Sequence, residues 1–160
     1  MQLPWFLTVF PVQLSLFNPK PSIARAASAI HGEKIRSVLG PRLPENALED
    51  VVAQILENPI SLKVVRHRTS KSGDFRAPHN GSPARITVNG NLNPYAFLIT
   101  LVHELAHHHV HLDHDRLLKK FTLRRKSRPL PHGKEWKAKF RLLMQPYLNL
   151  EVFPPDILPV

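Results

Sequence analysis

A helix that must bury an apolar stripe while carrying two histidines and a glutamate leaves the rest of a chain little freedom in how to pack against it. Residues 93–111 read Asn-Pro-Tyr-Ala-Phe-Leu-Ile-Thr-Leu-Val-His-Glu-Leu-Ala-His-His-His-Val-His. Asn93 is a good helix N-cap and Pro94 a good first-turn residue. Phe97, Leu98, Leu101, Val102 and Leu105 recur at helical spacing, which predicts a mostly buried helix. Residues four apart stack on one face, so His103 and His107 can close on a single metal ion from the same side, with Glu104 bordering it. Buried polar groups of this kind are costly without a partner.

The spacing suits zinc. Two imidazoles leave room for a third protein ligand and an open position where the pKa of water falls to about 7. Glu104 can then take the proton of that water as it attacks a carbonyl, which is the metallopeptidase reading of H-E-x-x-H. His111 is a poor third ligand, because His103, His107 and His111 span two turns, about 12 Å at 1.5 Å per residue. One ion with bonds near 2.1 Å does not gather both ends of that row. The metzincin pattern would place Gly at 110 and His at 113, where this chain has Val110 and Asp113. Asp113 and Glu135 are further candidates. His132 is the best, in Pro131-His132-Gly133-Lys134-Glu135-Trp136, at the expected start of a second helix whose inward positions continue as Trp136, Phe140, Leu143 and Met144.

With these motifs in view the chain resembles a known family. Gly73-Asp74-Phe75-Arg76, Ile86-Thr87-Val88-Asn89, Leu92-Asn93, Phe97-Leu98-Ile99-Thr100, the H-E-x-x-H and the later H-G-x-x-W together look like the SprT-like metalloprotease domain, the family of the Spartan DNA–protein crosslink proteases. The resemblance runs from Lys71 through Met144. It implies a zincin-like α+β fold and one Zn2+ per chain on His103, His107 and His132. It also implies Glu104 as general base and a role in cutting DNA-associated proteins during crosslink repair. The chain departs from the family in one respect: many members add a four-cysteine zinc ribbon, and there is no cysteine here.

That absence excludes disulfides and thiolate metal sites and fits a reducing compartment, so a cytoplasmic protein is expected, with association with the nucleoid as an option. The charge is more informative. The chain carries a net +10, which suits a polyanionic partner such as nucleic acid. From Arg116 to Arg141 there are eleven bases against one acid, a surplus equal to that of the whole chain. Lys119, Lys120, Arg124, Arg125, Lys126 and Arg128 are the candidate DNA contacts, set between the second and third ligands. A solvated basic face is the alternative.

Along the chain, residues 1–21 form an apolar extension, expected to be poorly ordered. It has prolines and no base before Lys20, which fits neither a secretory signal nor a spanning helix. Residues 22–144 are expected to be the metalloprotease domain and 145–160 a proline-rich tail wrapping the surface. Helices are predicted from Ser22 to about Val38 and from Pro44 to about Asn58. Strands are predicted at Leu62–Thr69, Gly73–Ala77 and Ala84–Asn89, giving a small antiparallel sheet packed on the helices. The last strand leads into the ligand helix, and an extended substrate could pair with it. His108, His109, His111 and His114, with Asp113 and Asp115, read as solvated residues ending that helix, or else as a second metal site. His67 and His79 read as surface residues.

The function expected is zinc-dependent hydrolysis of protein or peptide substrates, with Arg124, Arg125 and Tyr147 as unsupported candidates for steadying the oxyanion. Two rivals remain at this point: a non-catalytic, zinc-stabilised nucleic-acid-binding protein, and a metal-dependent nuclease.

Overall fold

The computed structural model describes residues 23–121 and 129–158. Within them the chain is an α+β protein of four α-helices and one three-stranded sheet. Helix α1 (Ile23–Leu39) runs through a 3-10 turn (Gly40–Arg42) into α2 (Glu45–Glu57), where Ala47, Val51, Val52 and Ile55 face the core. Then come β1 (Ser61–Val65), β2 (Gly73–Arg76), β3 (Arg85–Asn89), α3 (Pro94–Phe121) and α4 (Lys134–Met144). No helix among the described residues is long and apolar enough to cross a membrane.

The expected antiparallel sheet is in fact mixed, in the order β1-β3-β2. β3 runs parallel to β1 and antiparallel to β2, so β2 does not return along β1. Alternation of side chains specifies which face of a strand is buried but not which strand is its neighbour. β3 carries the fully buried Ile86 and Val88, and it takes the centre. Both its edges are thereby occupied, so it cannot receive a substrate strand; among the described residues the unpaired edge nearest the helix that follows β3 belongs to β2.

One side chain fixes the path from β1 to β2. Asn89 is 1% exposed, and its amide donates to the carbonyls of Arg68 (3.0 Å) and Lys71 (3.1 Å) while its Oδ1 accepts from Arg68 Nε (2.9 Å). A buried amide satisfied on both sides in this way holds a loop that has no regular structure of its own. The Asn89 N–H also bonds the Ser72 carbonyl (2.8 Å), which sets the start of β2.

α3 begins as predicted: Asn93 Oδ1 accepts the Ala96 N–H (2.8 Å), and Phe97, Leu98, Leu101, Val102 and Leu105 are fully buried. It does not end at the histidine and aspartate run but continues to Phe121. Polar composition is no helix stop, and no Gly or Pro lies between Pro94 and Pro129. His111–Asp115 (3.4 Å) and Asp113–Arg116 (3.5 Å) pair along the helix instead.

The segment after Met144 is likewise not a surface wrap. A 3-10 turn (Gln145–Tyr147) carries Tyr147 into the core at 1% exposure, where its hydroxyl accepts from Gln54 Nε2 (2.9 Å). Val152 and Phe153 are also buried, and Phe153 packs on Tyr95 (5.7 Å between ring centres). Asn149 Oδ1 makes this return possible by accepting the Glu151 and Val152 N–H groups. Residues 145–153 thus close the same core as the helices. Tyr147, buried and bonded to α2, is no oxyanion donor.

Candidate metal centre

The two α3 histidines meet His132 from the turn before α4. His132 Nε2 lies 3.0 Å from His103 Nε2 and 3.1 Å from His107 Nε2, and the three nitrogens all fall within 4.8 Å of one another. A tetrahedral ion with bonds of 2.0–2.1 Å holds its ligand nitrogens about 3.3 Å apart, close to what the side chains already present. Burial, followed by the charge of His132, keeps His103 below the usual imidazole range. Burial, with His103 and His132, pushes His107 down to about 4. Neutral imidazoles are the ligating form. A single shared proton can bridge only one pair of such nitrogens, whereas a cation satisfies all three lone pairs. These residues could hold a metal ion, and they are the only such group among the described residues.

His132 does not begin α4, as its place in the sequence suggests, but precedes it. It sits in a tight turn in which Leu130 accepts the Gly133 N–H (2.9 Å), with Pro131 before it and a φ of +57° at His132 itself. Positive φ is uncommon for a residue with a side chain and costs of order 1 kcal/mol or more. The turn aims the imidazole back at α3, where its Nε2 meets those of His103 and His107.

Glu104, 7% exposed, is held on the neighbouring face of α3 against β2. Burial raises its carboxyl to about 7; Asp74 adds to the rise, while the Phe75 backbone amide, Lys71 and Arg68 oppose it. Gly73 makes the approach possible, since a Cβ there would lie 2.5 Å from Glu104 Oε1 and 2.8 Å from both Glu104 Cγ and Thr100 Cγ2. The Phe75 ring, two residues on, stacks on His107 at 6.4 Å. β2 therefore positions the glutamate and one ligand together. Gly73 entered the sequence argument only through a resemblance; nothing in its spacing reveals that a carboxylate needs its missing side chain.

Trp136, read from the sequence as core, is buried and also forms the wall of the site. Its ring lies 4.6 Å from His103, 5.3 Å from His107 and 4.6 Å from His132. Phe140 stacks on its other side at 5.0 Å.

The remaining candidates separate. The second histidine group is not a metal cluster, nor is it solvated throughout: His108 is 2% exposed, and buried nitrogens of His108, His109 and His114 have no hydrogen-bond partner among the described residues. Asp113 pairs with Lys139 (2.8 Å) and Arg116, and Glu135 is exposed at the start of α4; neither joins the three histidines. His67 and His79 are exposed, as expected. Lys119 and Lys120 lie exposed on the last turn of α3, whereas Arg124, Arg125, Lys126 and Arg128 fall outside the described residues.

Comparison of the chain with models of known protein families, with curated proteins and with solved structures returned no match.

Proposed function

We propose that the protein is a zinc-dependent metalloendopeptidase of the SprT-like, zincin-like kind, acting on DNA-associated proteins. The observation that carries the reading is the pairing of three converging histidine nitrogens with a buried glutamate that forms no salt bridge among the described residues. A structural metal site has no use for such a glutamate and closes its fourth position with another ligand.

Zinc fits the donor set, three imidazoles with no thiolate, and when bound it would lower the pKa of water and polarise a carbonyl. His103, His107 and His132 would hold it. Glu104 takes the proton of the attacking water and returns it to the leaving amine, a role for which a carboxyl drawn up toward neutrality is suited. The Phe75 amide and the room left by Gly73 keep that carboxylate in place. An extended substrate would lie along the open edge of β2, pairing with main chain and so favouring unfolded segments. The basic end of α3 would bring the enzyme to DNA, with an affinity that falls as salt rises.

The test is cleavage of a loosely folded DNA-binding protein by the zinc-loaded chain, with and without single-stranded DNA. Glu104→Gln is expected to retain zinc and lose at least about a hundredfold in rate. Equal cleavage by that variant would sink the general-base assignment. No cleavage by the wild type in either condition would point to a zinc-stabilised binding protein, and Glu104-dependent nicking of the DNA to a nuclease.

A further inference from the structure

α3 and α4 run antiparallel past one another, and their facing residues are matched turn by turn. His107 meets Trp136, and His103 meets Phe140 at 5.9 Å. One turn further from the ligands, Ile99 stands at the side of an open groove of about 390 Å³ floored by Phe140, Met144 and Leu148. Clefts that receive small organic groups start at about 300 Å³. Ile99 and Leu148, 38% and 53% exposed, are apolar surface that no described residue covers. Ile99 precedes His103 by one turn, about 6 Å along the helix, which is roughly the reach of two residues of an extended chain.

The rim is cationic. Lys137 and Arg141, four apart on α4, both line the groove. Neither has a hydrogen-bond or ion-pair partner among the described residues, unlike Lys139, which Asp113 neutralises.

We propose that this groove is the substrate subsite for one bulky apolar side chain of a peptide, flanked in the substrate by aspartate or glutamate. The proposal deepens the peptidase reading and rests on it. A nucleic acid suits the groove less well, because base stacking needs an open aromatic face and Trp136 is buried with Phe140 stacked against it.

The experiment measures binding apart from cleavage. Zinc-loaded Glu104→Gln protein is titrated with three short fluorescent peptides that differ only at the centre: Glu-Leu-Glu, Glu-Ser-Glu and Lys-Leu-Lys. The first is expected to bind about tenfold tighter than the second, from burial of one leucine. It should bind severalfold tighter than the third at low salt, with the margin shrinking as salt rises. The added pair Lys137→Glu and Arg141→Glu should invert the order of the first and third peptides, and Leu148→Gln should weaken both leucine peptides, each with zinc content unchanged. Equal affinity for Glu-Leu-Glu and Glu-Ser-Glu, or an order that survives the charge reversal, overturns the proposal. Wild-type cleavage is scored separately: ranked binding without Glu104-dependent cleavage would overturn the peptidase reading while leaving the groove as a peptide site.

Discussion

His107 and His108 are neighbours on one helix and meet opposite fates. His107 turns its Nε2 toward two other imidazoles at the edge of the molecule. His108, about 100° further round, is buried against Phe75 (5.7 Å), and neither ring nitrogen makes a well-formed hydrogen bond among the described residues. Burial pushes both rings down to about 4. For His107 the neutral ring is in the form that could ligate a metal ion together with His103 and His132. For His108 it is a polar group whose hydration has been given up, with only the Asn58 carbonyl near enough to favour its charged form. A run of histidines is therefore several different sites, separated by the helical period and not by residue type.

The largest expected effect breaks that comparison at the metal. His107→Ala should abolish stoichiometric zinc binding and with it the rise in melting temperature on adding zinc, whereas His108→Asn should keep both. At zinc a thousandfold above its dissociation constant, that stabilisation amounts to about 4 kcal/mol. Zinc titration and thermal unfolding of the two variants, side by side, decide it. Zinc retained in His107→Ala, or lost in His108→Asn, would mean that the faces of α3 have been assigned the wrong way round.

The sequence made the ligand face legible because His103, His107 and the apolar stripe obey one period, and because Asn93 and Pro94 mark where α3 starts. It also allowed His132 to be chosen over His111 from reach alone. What it did not reveal depends on partners remote in the chain. His108 looked solvated because its neighbours are polar, yet burial is decided by Phe75 and the end of α2. The neighbour of β3 could not be known from alternation, since Asn89 and the loop it holds direct β2 to the far edge. The prolines after Met144 suggested a loose tail, while Asn149 turns the chain so that Val152 and Phe153 fill the core.

The next effect tests His108 directly. Its folded-state pKa is depressed to about 4, against about 6.5 for an unfolded histidine. Between these values the unfolded chain binds a proton that the folded chain does not. The contribution of His108 to stability is therefore full above about pH 6.5 and falls as the pH drops toward 4, by about 3 kcal/mol in total. Measured with a chelator present, so that no ligand is tied to a metal, urea unfolding of His108→Leu should show a visibly flatter decline across that window than the wild type. Parallel curves would mean that His108 is hydrated in solution and that its burial costs nothing.

The smallest effect sharpens the comparison, because Glu104 shares a helix face with His108, four residues away, and yet serves the His107 side. What redirects it is the space over Gly73, into which its carboxylate reaches. An alanine there would press on Glu104 Oε1 and Cγ and on Thr100 Cγ2, and the flexible carboxylate is the part that gives way. Gly73→Ala should therefore keep its zinc and lose about 1–2 kcal/mol of stability from overpacking. If the proposed peptidase function holds, the cleavage rate should fall about tenfold, or about 1.4 kcal/mol in the barrier. The informative quantity is the ratio between the rates of Gly73→Ala and Glu104→Gln. A glycine that only relieves crowding would lower stability and leave the rate untouched. One that aims the base lowers the rate of the otherwise normal enzyme, and adds nothing once Glu104 has been replaced by glutamine.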